Sequence, residues 1–289
     1  MSIAPPPLAP PDPPEVPDGI EVRRVPPWKP WWSVLGLVAG LGGALAGGLV
    51  IYVIATIAGA SLDNPPASVN ISATFLQDVA FIAAAVGFAS MVARPRPWHF
   101  GLRETPLWPA VGYVVGGYVA FIAFAGAWSA ILNLHEKDDV VKQLGADNSS
   151  AALIAIAFLV CVVAPIAEEF FFRGFFFSAL RNWRGLWPAA VITGLVFGGI
   201  HVGSAPIGFL VPLAFFGFVL CLIYDRTRSL YPCMALHCIN NSIAFGAGEK
   251  WGWQIPVVLV CALAIIAATM VAVQRTWGRS GVLHGRAVA

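Results

Sequence analysis

The sequence predicts an all-α fold, a polytopic membrane helix bundle of about eight transmembrane helices. Three observations carry that prediction. Apolar residues make up 58% of the chain and charged residues 11%, against roughly 25% charged in an ordinary soluble domain. The apolar residues fall into near-uncharged runs long enough to cross a hydrocarbon core as helices, about 20 residues each. Tryptophans gather near the ends of those runs, at Trp28, Trp31, Trp32, Trp98, Trp108, Trp183, Trp187, Trp251, Trp253 and Trp277, where an aromatic interface belt places them.

The first thirty residues differ in composition, with eleven prolines between Pro5 and Pro30 among Asp12, Glu15, Asp18 and Glu21. Such a stretch cannot build a helical core and is expected to be a disordered cytoplasmic tail over residues 1–30. It does not read as a signal peptide, because Arg23, Arg24 and Lys29 follow the tail and the apolar run behind them is too long. A transmembrane helical domain is expected over residues 31–275, followed by a cytoplasmic tail over 276–289. Uninterrupted apolar length puts the spans at about 32–59, 72–93, 107–133, 151–180, 187–204, 207–224, 230–247 and 254–274. Gly36, Gly40, Gly43, Gly47 and Gly48 line the first span with small residues suited to close helix packing.

Basic residues orient the eight spans. Arg23, Arg24, Lys29, Arg94, Arg96, Arg103, Arg181, Arg184, Arg226, Arg228, Arg275, Arg279 and Arg286 fall on one side, while Lys137, Lys142 and Lys250 fall on the other. This bias predicts a multi-pass protein of the cell membrane with both termini cytoplasmic. The net charge is +2 without a polybasic face, so the lipid bilayer, and not nucleic acid, is the expected surroundings. The five cysteines lie in apolar runs without metal-ligand spacing and read as helix-packing residues. Nothing in the sequence indicates an oligomeric state.

Within the apolar runs stand Glu168-Glu169-x-x-x-Arg173, Phe197-x-x-x-His201 and His237-x-x-x-Asn241. Ionisable groups are costly to hold in a lipid-embedded helix and mark functional sites. At about 1.5 Å of rise per residue, Glu168 lies roughly 18 Å above Leu180, His201 roughly 21 Å above Trp187, and His237 and Asn241 roughly 11 and 17 Å above Leu230. The overlapping levels predict one polar pocket between the fourth, fifth and seventh spans. Glu169 and Arg173, four apart on one helix face, also suit a simple buried, neutralised pair.

A carboxylate, two imidazoles and an amide at one depth provide what peptide hydrolysis in a membrane needs. Glu168 is the natural base on water, His201 can hold that water, and His237 and Asn241, one turn apart, can face the developing oxyanion. Alternatively Glu168, His201, His237 and Asn241 are metal ligands, with Zn²⁺ the expected ion. No His-Glu-x-x-His helix occurs, and Ser178 and Ser242 lack a nucleophile-elbow context. The competing class is a non-enzymatic membrane binder or immunity protein that uses the pocket for recognition. Transport is disfavoured because no inverted repeat of short, broken spans is found.

The three motifs, in this order and spacing, resemble the CPBP family of intramembrane proteases, also called the CAAX prenyl protease 2 or Abi family, over about residues 150–247. Gly101-Leu102-Arg103 adds the tripeptide that commonly precedes the third span in such proteins. The resemblance implies that Glu168 is the general base, helped by His201, His237 and Asn241. Glu169 and Arg173 then support the site, and Phe197 packs against it. Both a metalloprotease and a purely glutamate-driven mechanism are associated with the family. It implies a membrane-associated or lipidated peptide or protein substrate; eukaryotic relatives remove the last three residues of prenylated proteins, and some bacterial ones are linked to bacteriocin immunity or peptide maturation.

Overall fold

The computed structural model describes residues 28–92, 94–134, 144 and 149–285, the last eight by backbone alone. The expected N-terminal tail lies outside the described residues as far as residue 27, as do residues 286–289 of the expected C-terminal tail.

Among the described residues, eight helices follow one another without a β-strand: α1 (Pro30–Ile57), α2 (Ala67–Ser90), α3 (Leu107–Leu132), α4 (Ser150–Arg184), α5 (Leu186–Gly199), α6 (Leu210–Thr227), α7 (Tyr231–Gly248) and α8 (Gln254–Gly285). The chain is an all-α, polytopic bundle. Six of the helices are long and apolar enough to cross a membrane. The two others serve the site: α5 has only 14 residues, and α7 carries His237, Asn240 and Asn241 among its apolar residues.

Three ends depart from the apolar-run reading. Helix α2 begins at Ala67, behind Pro65 and Pro66, because polar Ser68, Asn70 and Ser72 extend a helix that hydropathy alone starts at residue 72. Helix α5 stops at Gly199 instead of near 204, where Gly198 and Gly199 weaken the helix and Gly203 takes a φ of +91°. Helix α8 keeps its helical backbone to Gly285, through residues expected to lie in the C-terminal tail.

Helix α4 is the hub. Ser149 caps its start, its side-chain oxygen accepting from the Ala152 amide at 3.1 Å, and Gly185, with a φ of +77°, ends it. Every residue of Phe170–Phe177 is buried. In lipid, burying such rings away from water contributes little, so helix association depends on close fit. Glycines provide that fit twice. On α1, Gly36 faces the Phe175 ring, Gly40 the Phe81 ring and Gly47 Leu76. Between α5 and α6, a Cβ on Gly194 or Gly198 would stand 2.6 or 2.5 Å from the backbone oxygens of Ala214 or Leu210.

The outward face agrees with a bilayer as surroundings: Leu45, Leu49, Ile57, Ile131 and Leu195 are exposed. Trp31, Trp98, Trp108, Trp183, Trp187 and Trp253 are exposed near helix ends, as an interface belt requires. Trp28 and Trp32 are not part of that belt. Both are buried, Trp28 against Phe100 and Phe175 and Trp32 against Phe88. Cys161, Cys221, Cys233 and Cys238 are buried free thiols, and Cys261 is exposed.

The Gly101-Leu102-Arg103 tripeptide ties two distant turns together. The Gly101 carbonyl accepts from the Leu230 amide at 2.8 Å, the Ser229 hydroxyl donates to the Arg103 carbonyl, and the Arg103 guanidinium donates to the Arg228 carbonyl. The start of α7 is thereby held against the loop before α3. That anchorage sets the height of His237.

Candidate active site

Glu168 and Glu169 lie in a regular α-helical stretch between two widened π-helical segments of α4, Leu159–Val163 and Phe170–Phe177. Such segments recur at functional sites because they turn side chains off the regular helical face. Helix α7 runs alongside with His237, and α5 brings Phe197 from the other flank, with His201 in the turn beyond its end.

Glu169 and Arg173 are completely enclosed. One carboxylate oxygen of Glu169, Oε1, accepts from Arg173 Nη1 at 2.9 Å and from His237 Nδ1 at 2.8 Å. Arg173 Nη2 donates to the Gly217 carbonyl of α6 at 3.0 Å, and its guanidinium lies 4.5 Å from the centre of the Phe197 ring. Gly217 makes that contact accessible, since a Cβ there would come within 2.8 Å of the Phe197 Cβ. The buried pair that the i, i+4 spacing suggested is present. It also reaches His237, so it orients a ring as well as neutralising a charge.

Glu168 faces another way. Its side chain is 13% exposed, and Oε2 stands 4.0 Å from His237 Nε2, too far for a hydrogen bond. That oxygen is enclosed without a hydrogen-bond partner among the described residues. The tautomers follow from the neighbours: a carboxylate accepts, so the Nδ1 of His237 carries hydrogen and leaves Nε2 toward Glu168. His201 Nδ1 lies 2.7 Å from the Phe197 carbonyl and by the same reasoning donates to it.

His201 does not sit on the α5 helix but in the turn just beyond it, where its carbonyl accepts from the Ala205 amide at 2.9 Å. It joins the cluster through Phe197, whose ring is 5.0 Å from that of His201 and 5.8 Å from that of His237. Asn241 is held one turn above His237: Nδ2 donates to the Val160 carbonyl at 2.9 Å, inside the first widened segment, and Oδ1 accepts from Asn240 at 3.3 Å. Glu169, Arg173 and His237 thus meet directly, Glu168 stands 4.0 Å from the His237 ring, and His201 and Asn241 lie at the margins.

Zinc suits the donor chemistry but not this geometry. Among the described residues, no three His, Cys, Asp or Glu side chains come together closely enough to hold a metal ion, and Asn241 is turned to Val160 and Asn240.

Two features escaped the motif reading. An apolar cleft of about 380 Å³ opens between α1, α2 and α4, lined by Ile51, Phe75, Leu76, Phe158 and Val163 among others. Asp78, the one acidic residue of α2, is 2% exposed, and its Oδ2 has no hydrogen-bond partner among the described residues. Its signal in the sequence was plain, a lone carboxylate inside an apolar span.

Comparison with known proteins bears on this same part of the chain. Residues 150–243 match the Rce1-like family, described as type II CAAX prenyl endopeptidase Rce1-like. The family resemblance holds for this segment. It contains all three motifs and leaves α1, α2, α3 and α8 outside. Over 88 residues the chain is 33% identical to the UPF0177 protein YaiH of Lactococcus lactis subsp. lactis (strain IL1403), which covers 30% of this chain and 34% of that protein. Over 81 residues it is 30% identical to YdiL of Bacillus subtilis (strain 168), a protein named provisionally as a membrane peptidase, covering 28% and 32% respectively. The matched part therefore spans about a third of the length of either relative. No solved structure matches the chain.

Proposed function

We propose that this multi-pass membrane protein is an intramembrane endopeptidase that hydrolyses a peptide bond in a membrane-associated or lipidated substrate, using water activated by a glutamate. The observation that carries the reading is Glu168, a carboxylate on the hub helix with one enclosed oxygen that no described residue satisfies, 4.0 Å from an imidazole nitrogen. The Rce1-like match over residues 150–243 supports the reaction class.

In this mechanism Glu168 takes one proton from water while the water oxygen bonds to the scissile carbonyl carbon. The carbonyl electron pair moves onto oxygen, where the Asn241 amide hydrogen not used by Val160 can donate to it. When the carbonyl re-forms and the C–N bond breaks, the proton held by Glu168 passes to the leaving nitrogen, with His237 Nε2 within reach as relay. His201 steadies the water. Glu169 and Arg173, enclosed as they are, hold His237 in register and do not touch substrate. No step is routed through a metal. The apolar cleft beside Val163, five residues from Glu168, gives a lipidated or transmembrane segment a lateral approach.

The cell membrane is the proposed location, with both termini cytoplasmic. Besides the count of basic residues, the loop before α3, the end of α4 and the turn between α6 and α7 share one end of the bundle: Arg103 bonds Arg228, and Arg181 and Arg228 both pair with Asp225.

The test uses full-length protein in detergent and a peptide ending in a prenylated Cys-aliphatic-aliphatic-X sequence, beside a comparison of membrane peptidomes from cells with wild-type and E168A protein. Glu168-dependent release of a C-terminal tripeptide, or of membrane peptides in the cells, is the expected result. An immunity or secretion phenotype that survives the combined E168A and H237A substitutions would instead make the pocket a recognition site. Activity is expected to persist after exhaustive chelation; stoichiometric zinc that disappears in the H201A/H237A protein would return these histidines to metal ligation.

A further inference from the structure

Asp78 belongs to none of the three motifs and lies outside the family-matched segment. Its surroundings are nonetheless those of a site residue. The side chain is sealed at 2% exposure in the middle of α2, and Oδ2 has no hydrogen-bond partner among the described residues. A carboxylate enclosed in this way costs several kcal/mol unless a donor satisfies it.

Helix register brings Asp78 to Glu168. Three residues on from Asp78, the Phe81 ring packs at 4.8 and 6.1 Å against Phe171 and Phe172, which lie three and four residues on from Glu168. Helix α2 also packs along Ala164–Glu169. The enclosed acceptor oxygens Oδ2 of Asp78 and Oε2 of Glu168 thus lie on helices packed against one another, and both lack a donor among the described residues, as does Oε2 of Glu169, whose other oxygen is already held by Arg173 and His237.

A water molecule is the small donor with two hydrogens that can serve both. We propose that Asp78 is a second carboxylate of the catalytic centre, holding the hydrolytic water between itself and Glu168. The inference rests on the peptidase reading given above. Glu168 accepts the hydrogen that is transferred, and Asp78 accepts the one that stays on oxygen. No bond to Asp78 forms or breaks. His201 is the other acceptor near this water, but its half-open turn lets solvent satisfy it. The sealed Asp78 oxygen has no such outlet. The aim of the water's lone pair at the scissile carbon therefore depends on Asp78.

The experiment measures kcat and KM of full-length wild-type, E168A, D78N, D78S and D78A proteins on the prenylated peptide, with thermal unfolding in the same detergent. D78A is expected to lower kcat about 100-fold and to leave KM within about threefold, the pattern of a group that acts on the reacting atoms. D78N, close in shape and still offering one acceptor oxygen, is expected to lose about tenfold. A residue that only cements α2 to α4 would instead lower the melting temperature while the folded protein kept its kcat. That result, or folded D78N and D78S proteins with wild-type kcat, overturns the inference and leaves the Glu168 mechanism standing. An E168A protein with wild-type kcat overturns the mechanism itself, and the role of Asp78 with it.

Discussion

Glu168 and Glu169 are neighbours in the chain, yet Glu169 is enclosed with one oxygen bonded to both Arg173 and His237, while Glu168 is partly open and its Oε2 has no donor. About 100° of rotation separates successive residues of a helix, enough to bury one carboxylate completely against Arg173 and His237 and leave the other partly open. The difference teaches that residue type alone does not set the role of a buried carboxylate. Each keeps one enclosed oxygen without a donor among the described residues, but Glu169 is paired through its other oxygen and holds its neighbours, while Glu168 is partly open and, among the described residues, unpaired with any cation.

Substituting the two glutamates separately tests this contrast most strongly. E168A should lower cleavage by about 1,000-fold or more with an unchanged melting temperature, because a base acts only in the reaction. E169A should also reduce cleavage, since His237 loses its partner, but its clearest effect should be on unfolding. If E168A unfolds as readily as E169A, the distinction between a reactive and a structural carboxylate fails.

Arg173 sharpens the structural half. R173M removes the cation from an enclosed pair and leaves Glu169 uncompensated, so a loss of about 3–5 kcal/mol is expected, read as a lowered midpoint of denaturation in detergent. The double substitution R173M/E169L should recover part of it, because neither charge then remains. Equal stability of the single and double variants would show that the pair is not coupled.

A smaller effect is expected where the fold carries the site at a distance. G198A forces a Cβ to within 2.5 Å of the Leu210 carbonyl, so α5 must move from α6, at a cost of about 1–3 kcal/mol. Phe197 and His201 move with it, and kcat should fall while Glu168 and Glu169 stay in place. The smallest effect belongs to S149A. It removes the cap at the far start of α4, about 28 Å from Glu168 along the helix by its rise, and should cost about 1 kcal/mol with cleavage unaltered.

The all-α bundle, the eight helices and the candidate residues were legible in the sequence because lipid imposes a simple rule: long apolar runs become helices, and polar residues inside them stand out against a uniform background. The Glu169–Arg173 pair was legible as well, since i, i+4 spacing puts both on one face of one helix. The end of α5 before His201 was not. Two glycines and a positive φ stop a helix that hydropathy would continue. Nor were the buried Trp28 and Trp32, which share their position near a run end with tryptophans that face the interface.

By itself, then, the sequence determined that this is a multi-pass membrane protein, how often its helices recur and which few polar residues are candidates for its chemistry, because these follow from local composition and spacing. Only the tertiary structure decided that Glu169 binds His237, that Arg173 reaches Gly217 and that Phe81 of α2 packs against Phe171 of α4. Those contacts join residues as many as 90 positions apart in the chain. Such pairs meet only through the register of one helix against another, which glycine contacts and ring packing set and no local pattern encodes.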